Sequence, residues 1–68
     1  MNKSVFLIEA RSQLTQSAYY VDTIDGKELY SFNPNDAKQF NHSANATVIA
    51  SKLDTENIRH EVIEHIFE

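Results

Sequence analysis

The run His60-Glu61-Val62-Ile63-Glu64-His65 comes nearest to a chemical signature in this chain. In the helical metal motif H-E-x-x-H, two histidines at i and i+4 ligate one zinc ion and the glutamate serves as base. Here the second histidine falls one residue late. On a helix that offset turns the two rings about 140° apart, and on a strand it sends them to opposite faces. Neither arrangement closes on one ion, so the pair reads as two histidines among surface carboxylates. Asp22-Thr23-Ile24-Asp25-Gly26 lacks the alternating oxygen ligands of a calcium loop, and Phe32 stands where the closing glutamate belongs. Serine, threonine and tyrosine hydroxyls are plentiful, but no G-x-S-x-G elbow is present. The lone glycine, Gly26, cannot build a phosphate-cradling loop. These failures leave no catalytic, metal-binding or cofactor-binding residue to name, and they point to a protein that is not an enzyme.

Composition bounds the partners. The chain has 68 residues and a formal charge of −4, with six Lys and Arg in all and no basic run. That distribution argues against nonspecific binding to nucleic acid. Asp54, Glu56, Glu61, Glu64 and Glu68 gather near the C-terminus, while Asp22, Asp25 and Glu28 lie in the middle of the chain. They read as a solvated acidic face that aids solubility. Residues 1–68 make one domain, small enough to bury only about 60% of its unfolded surface, so self-association would be a natural supplement. Cysteine is absent, which removes disulfides and thiolate metal sites. The apolar run Val5-Phe6-Leu7-Ile8 stops at Glu9, far short of a secretory core or of the roughly 20 residues that span a bilayer. A cytoplasmic location with no membrane partner is the expectation.

The elements that position these side chains follow from periodicity. Val5 to Ala10 reads as a first strand, apolar on both sides and therefore central in its sheet. Tyr19 to Phe32 holds an Asp25-Gly26 pair between two aromatic and β-branched runs, the signature of a type I′ hairpin. With a two-residue loop, Ile24 faces Lys27, Val21 faces Tyr30, and Tyr19 faces Phe32. Asn33-Pro34-Asn35-Asp36 is a turn, and Ala37 to Phe40 a short strand or extended link. Asn41, His42 and Ser43 offer N-caps for a helix whose Ala46, Ile49, Ala50 and Leu53 form one apolar stripe. Ile58 to Phe67 fits a second helix slightly better than a strand by periodicity, although its β-branched content is high.

The segment Asp36-Ala37-Lys38-Gln39-Phe40, followed by a helix through Ala46 to Leu53, resembles small uncharacterised proteins encoded by phages, prophages and bacteria. In those chains a tyrosine-rich hairpin precedes a D-A-x-x-F segment, a helix and a terminal strand rich in Val, Ile and Glu. His42 and Asn45 depart from the Ser and Glu of that pattern. The resemblance spans about Tyr19 to Phe67 and implies a β-β-(β)-α-β order, with Arg59 to Phe67 as a final strand and no assigned catalytic residue. The expected fold is thus α+β: an antiparallel sheet of three or four strands, β-β-β-α-β, with one helix on one face. A second C-terminal helix is the alternative.

In the regular hairpin register, Tyr19, Val21, Tyr30 and Phe32 share the face expected to be core. Tyr20, Ile24 and Leu29 fall on the other, with Val5 and Leu7 of the first strand. Either a loop or the C-terminal segment covers that second face, or it forms an exposed apolar patch with Asp22 and Glu28 as an acidic rim. An exposed patch of this kind marks a protein-interaction surface. The expected function is a non-enzymatic interaction module, of phage- or prophage-type accessory character, that binds a host protein or a second copy of itself. Alternatives are a nucleic-acid-directed protein, acting through Lys27 and Arg11 or as an acidic mimic, and a structural or assembly subunit.

Overall fold

The computed structural model describes residues 3–12 and 17–67. Four strands, β1 (Lys3–Ser12), β2 (Ala18–Ile24), β3 (Lys27–Ser31) and β4 (Ile58–Phe67), form one antiparallel sheet in the order β3-β2-β1-β4. A single α-helix, α1 (Ser43–Leu53), lies between β3 and β4 in sequence, after a 3₁₀ turn at Pro34–Asp36. This is the expected small α+β fold.

The C-terminal segment is a strand. It pairs with β1 without interruption from Lys3↔Phe67 to Ser12↔Ile58. The buried backbone of β1 needs a hydrogen-bonding neighbour along each edge. β4 supplies one, sending Val62 toward the helix and the adjacent Ile63 to the opposite face. A strand covered on both faces does not alternate cleanly, which explains why its periodicity resembled a helix.

Helix α1 follows its stripe. Ala46 and Ala50 are buried with Ile8, Tyr20 and Phe40, and Ile49, Leu53 and Val62 pack against that cluster. The two small alanines let the helix axis approach the sheet closely. His42 is the N-cap but makes no side-chain capping bond, and Asp54 ends the helix in extended conformation. Asn33 caps the Pro34 turn by accepting from Asn35 N–H at 2.9 Å. Ala37 to Phe40 is an extended link rather than a full strand: Phe40 makes one isolated bridge to Phe6.

The hairpin turn adopts positive φ at both Asp25 (53°) and Gly26 (76°), as a type I′ turn requires. Its register near the tip is regular, with Ile24↔Lys27, Thr23↔Glu28 and Asp22↔Leu29. Beyond that point the expected register fails. Tyr30 pairs with Tyr20 rather than Val21, and Tyr19 pairs with Ser31 rather than Phe32, because a bulge at Val21 sets two residues of β2 against one of β3. A single extra residue exchanges the two faces for everything before it. Tyr20 therefore points into the helix-side core, where Ala46 and Ala50 lie beneath it.

The second face is covered too. Val5 and Leu7 are completely buried there with Ala37, and Tyr19, Ile63 and Phe67 pack against them. The link from the Pro34 turn and the end of β4 supply this cover, so Val5 and Leu7 form a second small core. Phe32, placed in the core by the regular register, is 68% exposed instead.

Candidate functional site

Of the side chains expected to form an interaction surface, the structure leaves two aliphatic ones open. Ile24 is 52% exposed and Leu29 43% exposed. Asp22, opposite Leu29, and Lys27, opposite Ile24, put the two aliphatics diagonally across the hairpin on the face away from the helix. Asp22 is exposed beside them, whereas Glu28, paired with Thr23, is exposed on the helix side of the hairpin with Tyr20 and Tyr30 and does not rim this face. Tyr20, Val5 and Leu7 do not belong to this surface. The Val21 bulge turns Tyr20 inward, and the link through Ala37 closes over the other two. Phe32 lies exposed just after β3, and regular alternation hid it from sequence reasoning.

The polar groups converge elsewhere, on the helix side of the sheet. His60 Nδ1 lies 2.9 Å from Asp54 Oδ1, the same oxygen that accepts His60 N–H at 2.7 Å. A carboxylate only accepts, so Nδ1 donates to Asp54; in the neutral imidazole that leaves Nε2, 2.8 Å from the Tyr30 hydroxyl, to accept from it. Tyr30 and His60 stand on the two outermost strands. Ala18 and Ala10 face each other on the strands between, and their small side chains leave room for the rings to approach to 5.9 Å. Tyr20 adds an edge-on ring contact to Tyr30 at 6.2 Å and shares a 2.7 Å hydrogen bond with Thr23.

An acid–imidazole–hydroxyl chain has the order of a nucleophilic relay. Its electrostatics oppose that use. Burial, reinforced by the negative charge of Glu28, holds the Tyr30 phenol above its ordinary range, so it stays protonated and donates. The hydrogen bond from His60 holds the Asp54 carboxyl below its usual range. The His60 side chain is only 1% exposed and gives a substrate no access. What the chain does is tie β3, β4 and the segment after α1 together across one face.

His65 lies on the opposite face from His60, its ring 4.4 Å from that of Phe67. The odd offset between the two histidines thus separates them across the sheet. Among the described residues no group of three or more His, Asp and Glu side chains is placed to hold a metal ion. Arg11 Nε donates to Glu9 Oε1 at 2.6 Å, and its guanidinium lies 3.4 Å from Glu61, which raises the Arg11 pKa. That cation is already matched by two carboxylates, so it adds little positive field for a phosphate backbone. Among the described residues, no helix is long and apolar enough to cross a membrane.

Comparison with protein-family models, with curated proteins and with solved structures found no match.

Proposed function

We propose that this chain is a non-enzymatic protein-interaction module that grips a protein partner through the exposed face of its β2–β3 hairpin. The observation that carries this reading is the pairing of two open aliphatic side chains, Ile24 and Leu29, on a rigid type I′ hairpin whose neighbours are charged. A preorganised apolar pair flanked by Asp22 and Lys27 has the make-up of a small contact centre: burial supplies affinity and the two opposite charges select a partner with complementary groups at the matching positions. The resemblance to phage- and prophage-type proteins agrees with an accessory role of this kind, exerted on a host protein.

Quantitative affinity capture tests it. The parent, Ile24→Asp, Leu29→Asp and the exposed helix control Val48→Asp are compared as baits in one lysate. A partner of this surface is retained by the parent and by the Val48 variant and falls at least tenfold with both hairpin variants. If no captured protein shows that pattern, the hairpin is not the binding surface.

A further inference from the structure

We infer that the free edge of β4 is a self-pairing site, and that two copies of this chain join there, antiparallel about a two-fold axis at Ile63, into one continuous sheet. This goes beyond the hairpin reading and uses the other end of the sheet.

An edge strand invites pairing in proportion to its length and regularity. β3 is short. β4 runs for ten residues with no bulge, proline or glycine, and among the described residues only β1 pairs with it. The direction of its backbone groups follows from its neighbour. Phe6 exchanges both of its backbone hydrogen bonds with Phe40, at 2.8 and 2.9 Å, so its polar groups point away from β4. Its partner Glu64 must then turn its own N–H and C=O outward, and so, by alternation, do Ile58, His60, Val62 and Ile66.

The chain itself occupies the first part of that edge. Ile58 C=O accepts from Thr55 N–H at 3.0 Å, Ile58 N–H donates to Thr55 Oγ1 at 3.1 Å, and His60 N–H donates to Asp54. The cap ends there. From the His60 carbonyl through Val62 and Glu64 to Ile66, the outward groups have no protein partner among the described residues.

These boundaries select one register. An axis at Val62 would set Ile58 and His60 of each copy against Ile66 and Glu64 of the other, where the cap already holds the edge. An axis at Glu64 would bring two like carboxylates face to face. With the axis at Ile63, Val62 and Glu64 of one copy exchange bonds with Glu64 and Val62 of the other, and each Ile66 N–H meets a His60 carbonyl. The open groups are used and the cap is left intact. The same register places Ile63 against its own counterpart and Glu61 opposite His65, twice by symmetry. A carboxylate and an imidazole are complementary there, and the two isoleucines extend the second core across the junction.

The test is sedimentation equilibrium of the full chain over a concentration series, with circular dichroism to confirm folding. The parent shows a reversible dimer. Glu64→Pro removes an outward N–H without touching the β1 ladder and gives a monomer. Glu61→Lys sets a cation opposite His65 at both symmetric positions and weakens dimerisation about tenfold. The double variant Glu61→Lys/His65→Glu restores it. A parent that stays monomeric at high micromolar concentration overturns the inference, as does a folded Glu64→Pro that dimerises like the parent. If Glu64→Pro does not fold, the charge pair decides: a double variant no tighter than Glu61→Lys also overturns the proposed register. None of these substitutions touches Ile24 or Leu29, so failure here leaves the hairpin reading standing.

Discussion

The Val21 bulge makes its sharpest demand on Tyr20. Without the bulge Tyr20 would lie opposite the helix face, and with it the ring is 5% exposed against Ala46 and Ala50. Replacing it by alanine empties a site that the small helix side chains cannot refill, and large-to-small aromatic substitutions in cores cost about 3–5 kcal/mol. The edge-on contact with Tyr30 belongs to that loss. A chain of 68 residues has a total stability of about 3–10 kcal/mol. Tyr20→Ala therefore removes a third or more of it. At about 4–8 °C per kcal/mol for a domain this size, the midpoint falls by at least about 12 °C. Tyr20→Phe loses only the hydrogen bond with Thr23, about 0.5–1.5 kcal/mol, and its midpoint drops by about 2–12 °C on the same scale. Thermal and urea unfolding, followed by far-ultraviolet circular dichroism, measure both. A Tyr20→Ala protein that melts within about 3 °C of the parent behaves like a surface variant. That result would refute the bulge and the face assignment built on it.

Two further outcomes follow from the turn and from the polar chain. Gly26→Ala meets no neighbouring atom, so its penalty comes from backbone φ alone, at 76°. It should lower stability by about 1–2 kcal/mol in the same unfolding assay. Asp54 has its folded-state pKa depressed by His60, so its contribution to stability is complete above the ordinary carboxylate pKa and is lost as pH falls through the lower folded value. Replacing it with Asn should flatten the stability–pH curve below about pH 4, and an unchanged acid limb in urea titrations would count against the His60 bond.

The local grammar of the sequence was legible where one physical cause dominates. Asp25-Gly26 gives a type I′ turn because both residues tolerate positive φ. Ala46, Ile49, Ala50 and Leu53 give a helix because only one face must be apolar. Val5 to Ala10 announces a central strand because both of its faces are apolar. The candidate surface was half legible, through Ile24 and Leu29. The rest was hidden because a bulge has no strong sequence signal: Val21 is as β-prone as its neighbours. The cover over Val5 and Leu7 was equally hard to read, since Ala37 in a polar link carries little apolar weight of its own. The Tyr30–His60–Asp54 chain joins positions far apart in sequence, and nothing local marks them.

That chain also shows why so small a sheet can do without a second helix. Tyr30 on one outer strand reaches His60 on the other across Ala10 and Ala18, whose small side chains leave space above the middle strands. That polar bridge covers part of the helix-side face, which leaves less of it to the eleven residues of α1. On the opposite face a short link through Ala37 with the end of β4 is enough to bury Val5 and Leu7. The aliphatic side chains left over at the hairpin tip, Ile24 and Leu29, lie beyond the reach of either cover. Their exposure is thus a product of geometry at the sheet's far corner rather than of a missing element. The hairpin corner and the β4 edge are then surfaces the fold leaves open after its own core is closed.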